Sequence, residues 1–219
     1  MRTNFGIAAV LLLGLGAATA QASVAYEGYW DFNSNNLVAN PAYSQPGVTM
    51  TLSGLGGLTG QGYFTGTTLN AVGATPAGSD LSFYTIAEIF KEWDVNLLGF
   101  DFTGREGGAI SLAVKSDNLF DVGGEDIEIA YQINGGGYTT FGYILGDLTE
   151  WGAFSFDIPD AVDGQSNVDF RIRASGGFEI FSFTDYDNIT ITSIPEPASA
   201  MLLAGAAILT LRRGRRGVK

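Results

Sequence analysis

The sequence predicts an all-β domain, an antiparallel sandwich. Two observations predict it: apolar and polar residues alternate with a period of two in several separate stretches, and glycine-rich turns divide those stretches. A period of two with one polar face marks a half-buried strand of an antiparallel sheet. Many short strands joined by such turns pack as two sheets.

The stretches follow in chain order. Ile110, Leu112 and Val114 face one way, with Ser111, Ala113 and Lys115 facing the other. Ile127, Ile129, Tyr131 and Ile133 alternate with Glu128, Ala130, Gln132 and Asn134. Phe154, Phe156 and Ile158 alternate with Ser155 and Asp157. Val168, Phe170, Ile172 and Ala174 alternate with Asp169, Arg171, Arg173 and Ser175. Ile189 and Ile191 close the domain, with Asn188, Thr190 and Thr192 expected outward. The run Asn134-Gly135-Gly136-Gly137 supplies the positive φ that a hairpin turn needs. The expected register points Leu112, Ile129, Phe156, Phe170 and Ile189 inward, since a slip of one residue would turn these faces to water.

Two stretches read less simply. Leu52 to Gly78 is rich in Gly and Thr and fits short strands or a long surface loop. Ile86, Ile89, Phe90 and Trp93 have helical spacing, and Thr85 with Glu88 makes a capping box. Residues Ile89 to Val95 therefore read as strand or as one helical turn.

The ends have a different character. Met1 to Ala22 has a positive start at Arg2, an apolar stretch from Ile7 to Ala18, and small residues at Ala18, Ala20 and Ala22. That is the pattern of a secretory signal helix cleaved after Ala22. At the other end Pro195-Glu196-Pro197 precedes an apolar run, Ala198 to Leu211. Arg212, Arg213, Arg215, Arg216 and Lys219 close the chain. Each proline fixes φ and lacks an N–H, so neither a helix nor a strand continues through the pair. The run is expected to form a single transmembrane helix of about 21 Å, short against a hydrocarbon core of about 30 Å. The cationic end stays on the cytoplasmic side.

This tripartite tail resembles the PEP-CTERM sorting signal of Gram-negative bacteria. The resemblance rests on Pro195, Glu196 and Pro197, the apolar segment, and Arg212, Arg213, Arg215 and Arg216, in that order. It implies an exosortase as processing partner and a transient stay in the inner membrane. It also implies delivery to the cell surface or an exopolysaccharide matrix. The expected organisation is a signal peptide over 1–22, an ectodomain over 23–193 and a sorting signal over 194–219. The middle resembles the jelly-roll sandwiches that precede such signals. Asn96 to Phe102, Ala130 to Gly137 and Asp185 to Ile191 carry that resemblance. Those sandwiches also resemble carbohydrate-binding modules.

Charge narrows the function further. The whole chain carries −12, but the terminal segments hold six of its 11 bases. Residues 23–193 keep 22 acids against 5 bases, a net −17. Such a surface repels DNA and RNA and attracts divalent cations. Cys and His are absent. The usual zinc ligands, the thiol nucleophile and the imidazole base are therefore excluded. Gly-x-Ser-x-Gly and the P-loop are missing as well. The expectation is a non-catalytic exported surface or matrix protein. The alternative is a module binding extracellular glycan, with a carboxylate-based glycoside hydrolase a distant third.

Two acidic groups are candidates for a structural Ca²⁺, which takes six to eight oxygen ligands. One is Asp117, Asp121, Glu125 and Asp126, around Gly123-Gly124. The other pairs Glu27 near the first strand with Asp187 on the last, since the resemblance to jelly rolls implies that the terminal strands pair. For glycan stacking the available rings include Trp30, Trp93, Trp151, Tyr43 and Tyr63. Tyr138 and Tyr143, flanking the Gly-rich hairpin, are the chosen pair.

The tail reading is checked by intact mass of protein from the cell surface. The expected chain ends near Pro195-Glu196-Pro197 and lacks the arginines. Recovery of chains ending at Lys219 in the outer fraction would contradict it.

Overall fold

A computed structural model describes residues 23–55, 59–73, 76–86, 92–118, 126–146, 148–175 and 181–196. The signal peptide, the apolar run, the arginine cluster and Pro197 lie outside the described residues. Eleven strands make two antiparallel sheets. They are β1 (Ala25–Trp30), β2 (Thr49–Ser53), β3 (Thr59–Gly62), β4 (Leu81–Ile86), β5 (Glu92–Phe100), β6 (Arg105–Asn118), β7 (Asp126–Ile133), β8 (Thr139–Leu145), β9 (Gly152–Asp157), β10 (Val168–Ser175) and β11 (Phe181–Pro195). One sheet runs β3-β4-β11-β6-β9, with β1 also on β11. The other runs β2-β5-β10-β7-β8. From β4 onward the chain crosses repeatedly between the sheets, as a jelly roll does. Among the described residues the only helical piece is a 3₁₀ turn at Asp160–Val162.

The alternation seen in the sequence is the alternation in space. Ile110, Leu112, Val114, Ile129, Val168, Phe170, Ile172, Ala174, Ile189 and Ile191 are fully buried between the sheets. Phe156 is half-buried and packs against that core. Rings fill the middle: Phe170 meets Phe100, Phe102 and Phe141 at centroid distances of 5.5, 6.1 and 6.4 Å. Asn134 and Gly135 take φ of 54° and 71° and turn β7 into β8, as expected. Asn tolerates the left-handed region better than other side chains, and Gly has no Cβ to clash.

The structure decides between the open readings and changes one other. Thr85 and Ile86 belong to β4, and Trp93 and Val95 to β5, so cross-strand pairing overrides the helical spacing and the capping box. Residues 87–91 lie outside the described residues. Leu52 to Gly78 holds the end of β2, the short β3, and a loop closed by a Thr65–Ser79 bridge. Asn188 and Thr190 are buried, not outward, because the loop after β3 and strand β1 cover them. The last strand runs to Pro195. Ile194 pairs with Glu106, and Pro195 with Arg105.

Phe170→Ala should cost about 3–5 kcal/mol of unfolding free energy, because the ring is fully enclosed and the site cannot collapse. Thr51→Ala, on the exposed side of β2, should stay within about 0.5 kcal/mol. Urea unfolding measures both. Similar small losses for the two would show that Phe170 is not part of a packed core.

Candidate functional site

The outer face of the β1-containing sheet carries a cleft of about 340 Å³, lined by Phe64, Thr65, Asp80, Ser82, Lys115, Trp151, Phe183 and Asp185. Its floor is one rung of the sheet. Ser82 on β4 lies opposite Asp185 on β11, and Asp185 lies opposite Lys115 on β6. Trp151 continues the rung, one residue before β9 and just past the Val114–Gly152 pair. The period of two puts these four side chains on one face because Leu81, Phe83, Val114 and Tyr186 point into the core.

The wall is aromatic. Phe64 stands edge-on to Phe183 at 6.4 Å, and Tyr84 lies tilted against Phe183 at 6.4 Å. Phe64 is 54% exposed. Asp80 precedes β4 and is only 1% exposed. Its Oδ1 accepts the Phe64 N–H at 2.8 Å, and its own N–H donates to the Phe64 carbonyl at 3.2 Å. Burial, reinforced by the Asp185 charge, pushes the Asp80 carboxyl up to about 6, against the pull of backbone N–H groups and Lys115. Ser82 is fully buried and its Oγ has no hydrogen-bond partner among the described residues.

The loop between β3 and β4 that supplies Phe64 and Thr65 is clamped to β11. Asp187 Oδ2 accepts the Thr67 N–H at 2.7 Å, and its Oδ1 accepts the Asn188 N–H at 2.7 Å. Asn188 Nδ2 donates to the carbonyls of Thr67 and Leu69 at 2.8 and 3.0 Å. Asn70 Nδ2 donates back to the Asn188 carbonyl at 2.7 Å. Gly66 passes so close that a Cβ there would meet the Ser79 carbonyl at 2.9 Å. Burial pushes the Asp187 carboxyl up to about 7; the two N–H donors oppose this, and Asp80 and Asp31 add to it. The cleft can therefore offer flat ring faces beside carboxylate, carboxyl, hydroxyl and ammonium groups. That is the set a polyhydroxylated ring needs for stacking and hydrogen bonding.

The residues chosen from sequence are distributed differently. Tyr138 and Tyr143 sit on the outer face of the other sheet. Tyr143 is 56% exposed, at the end of a rung that runs Ser53, Asp94, Arg173, Glu128, Tyr143. The Arg171 guanidinium lies 4.3 Å from the Tyr138 ring centroid. Arg171 also bonds Glu128 at 2.6 Å, and Arg173 bonds Asp94 at 2.6 and 3.1 Å. Burial and the nearby Asp169 raise the Tyr138 hydroxyl.

Glu27 and Asp187 are not brought together. The terminal strands do pair, but Glu27 bulges between the Tyr26–Thr192 and Gly28–Ile191 pairs. Asp187 lies about 13 Å further along β11, at about 3.3 Å per residue. Glu27 is buried against Arg105 at 3.2 Å and accepts short hydrogen bonds from Gln45 and Ser193. An ion pair takes the place expected for calcium there. In the other acidic group, Asp121, Glu125 and the Asp117 side chain lie outside the described residues; Asp126 is exposed on β7 opposite Ser175. Among the described residues no three acidic side chains converge to hold a metal ion. Pro195 ends β11, and the Glu196 N–H donates to the Gly104 carbonyl at 3.0 Å.

Of the tryptophans, Trp30 and Trp93 are core and Trp151 alone is half-buried. Sequence reading weighed Trp151 but not Phe64, Asp80, Ser82, Lys115, Phe183 and Asp185 as a group. The signal available was the outward phase of Phe183 and Asp185, in step with the outward phase of Lys115.

No family model matches the sequence, and no curated protein matches it. Solved structures do match in fold. One is from a study of promiscuous carbohydrate-binding modules of the β-sandwich superfamily: TM-score 0.50, 12% identity, 76% of this chain and 62% of that one. Another is an exo-β-agarase: TM-score 0.50, 10% identity, 78% of this chain and 26% of that one. A third is a carbohydrate-binding module solved with β-1,4-galactotriose: TM-score 0.48, 9% identity, 74% and 92% covered. At such identities the likeness shows the two-sheet antiparallel sandwich. The chain spans under two thirds of the first two relatives.

The raised carboxyls set a pH dependence. In the unfolded chain Asp80 and Asp187 lose their protons near 3.8, whereas the folded protein keeps them to about 6 and 7. Between those values the folded state binds more protons, so the contribution of these two groups to stability falls as pH rises. The melting temperature should therefore drop from about pH 5 to about pH 8. Asp80→Asn, which keeps an acceptor for Phe64, should flatten the slope. A melting temperature that rises over this interval, or a slope unchanged in the variant, would overturn the assignment.

Proposed function

We propose that this is an exported, non-catalytic protein that binds extracellular glycan in the cleft above Ser82, Asp185, Lys115 and Trp151. The observation that carries the reading is the combination of exposed rings with buried polar groups in one cavity, the Ser82 hydroxyl among them without a partner. The fold likeness to carbohydrate-binding modules supports it. The resemblance of the tail to a PEP-CTERM signal supports the accompanying reading, that an exosortase delivers the domain to the cell surface or to an exopolysaccharide matrix. The second platform, Tyr143 with Tyr138 over Arg171, is the rival on the opposite face.

Pull-down on the producing organism's purified exopolysaccharide separates the two. Trp151→Ala should weaken retention about tenfold, since a stacked ring contributes about 0.5–1.5 kcal/mol beyond its buried area. Tyr143→Ala should leave it unchanged. Undiminished binding by Trp151→Ala, with loss in Tyr143→Ala, would move the function to the other sheet. No retention of the unaltered protein would refute the reading.

A further inference from the structure

We propose that the cleft prefers a sugar bearing a free ammonium group, an unacylated hexosamine, over neutral or acidic sugars. This rests on the reading that the cleft holds glycan, and it names the class of glycan.

The cleft's polar groups are mostly acceptors. Asp185 comes from β11, Asp80 from the residue before β4, Ser82 from β4 and Thr65 from the loop. Among the described residues Lys115 on β6 is the one cation lining it. Asp187 stands on β11 two residues beyond Asp185, beneath the loop, and Asp31 lies near enough to act on it. The lining therefore has two carboxyls to one ammonium, with a third carboxyl under its rim. Asp80 is buried with one oxygen bonded to the Phe64 N–H. The unpartnered Ser82 Oγ is enclosed at the same floor.

A ligand ammonium supplies three donors and a positive charge. It meets the acceptors that Lys115 does not neutralise, and the faces of Trp151, Phe64 and Phe183 attract a cation as well. A uronate would bring a carboxylate into a cleft that already has two, on a domain of net −17. A neutral hydroxyl gains the hydrogen bonds without the charge, and hydrogen bonds to charged groups are the stronger ones. A cation beside Asp80 also favours its ionised form, so binding near pH 6 should release a proton to the buffer.

Trp151 gives the readout, because Trp30 and Trp93 are fully enclosed in the core. Tryptophan fluorescence of the purified protein is titrated with a short glucosamine oligosaccharide, its N-acetylated counterpart, a glucuronate oligosaccharide and lysine amide. The glucosamine oligosaccharide should bind about tenfold tighter than the acetylated one, with affinity falling as salt is added. The glucuronate should not bind, and lysine amide should bind far more weakly than the amino sugar. Asp80→Asn and Asp185→Asn, each checked for an unchanged far-ultraviolet circular dichroism spectrum, should lose the preference. Trp151→Phe should lose the fluorescence response while still binding in calorimetry, with proton release in the unaltered cleft near pH 6. Equal or tighter binding of the acetylated sugar would overturn the ammonium preference and leave glycan binding standing. Equal binding of lysine amide would show a bare cation site and overturn the sugar assignment. Silence toward every oligosaccharide and toward the purified exopolysaccharide would overturn both.

Discussion

Asn188 is the joint on which the β1-containing sheet and its cleft depend. Strand β11 pairs with β6 along one side, but on the other it meets β4 only as far as Tyr186 and β1 only from Ile189. Asn188 occupies the gap, at φ 49°, where the pairing with β6 also shifts register. Its Oδ1 accepts the Tyr29 hydroxyl of β1 at 2.7 Å, while its Nδ2 holds the carbonyls of Thr67 and Leu69. One residue thus supplies the left-handed turn, an acceptor for β1 and two donors for the loop that walls the cleft. Glycine would give the turn without the bonds. Aspartate would give the acceptor without the donors. Buried amides and carbonyls left unpaired cost about 1–3 kcal/mol each, so the site has little latitude.

Charge divides the two faces. Residues 23–193 own five cations; of those described, Arg105 pairs with Glu27, Arg171 with Glu128 and Arg173 with Asp94 and Glu92, while Lys115 lines the cleft. On the face of the five-stranded sheet the carboxylates and guanidiniums largely satisfy one another, apart from Arg171 Nε. A ligand there would have to displace existing pairs. On the cleft face, the Ser82 hydroxyl is not consumed by such a lattice among the described residues. This difference, more than the number of exposed rings, places the stronger case on the sheet that holds β11.

The sequence was informative where a rule is local. Alternation told which of Ile110, Leu112, Phe170 and Ile172 point inward, and Asn134-Gly135 announced its own turn. It was silent where partners decide. Ser82, Lys115 and Asp185 are far apart in the chain and become neighbours only because β4 and β6 flank β11. Glu27 and Asp187 lie on strands that do pair, but a bulge and a register set where each falls, and neither is written in local composition. Asn188 and Thr190 read as outward by phase alone. Burial came from the loop after β3 and from β1, elements that the period of two does not mention.

The direction of β11 relates the cleft to the tail. Phe183 and Asp185 lie near its start, and Pro195 ends it, roughly 30 Å away at the rise of an extended strand. Ala25 pairs with Ser193, so the start of β1 and the end of β11 lie together, remote from the cleft. The Glu196 N–H is held by the Gly104 carbonyl at the same end. A domain retained through residues near Pro195, on a membrane or on a polymer, would then carry its attachment at one pole and its cleft toward the other. In such a case the length of β11 would hold the attached surface away from Trp151 and Phe64.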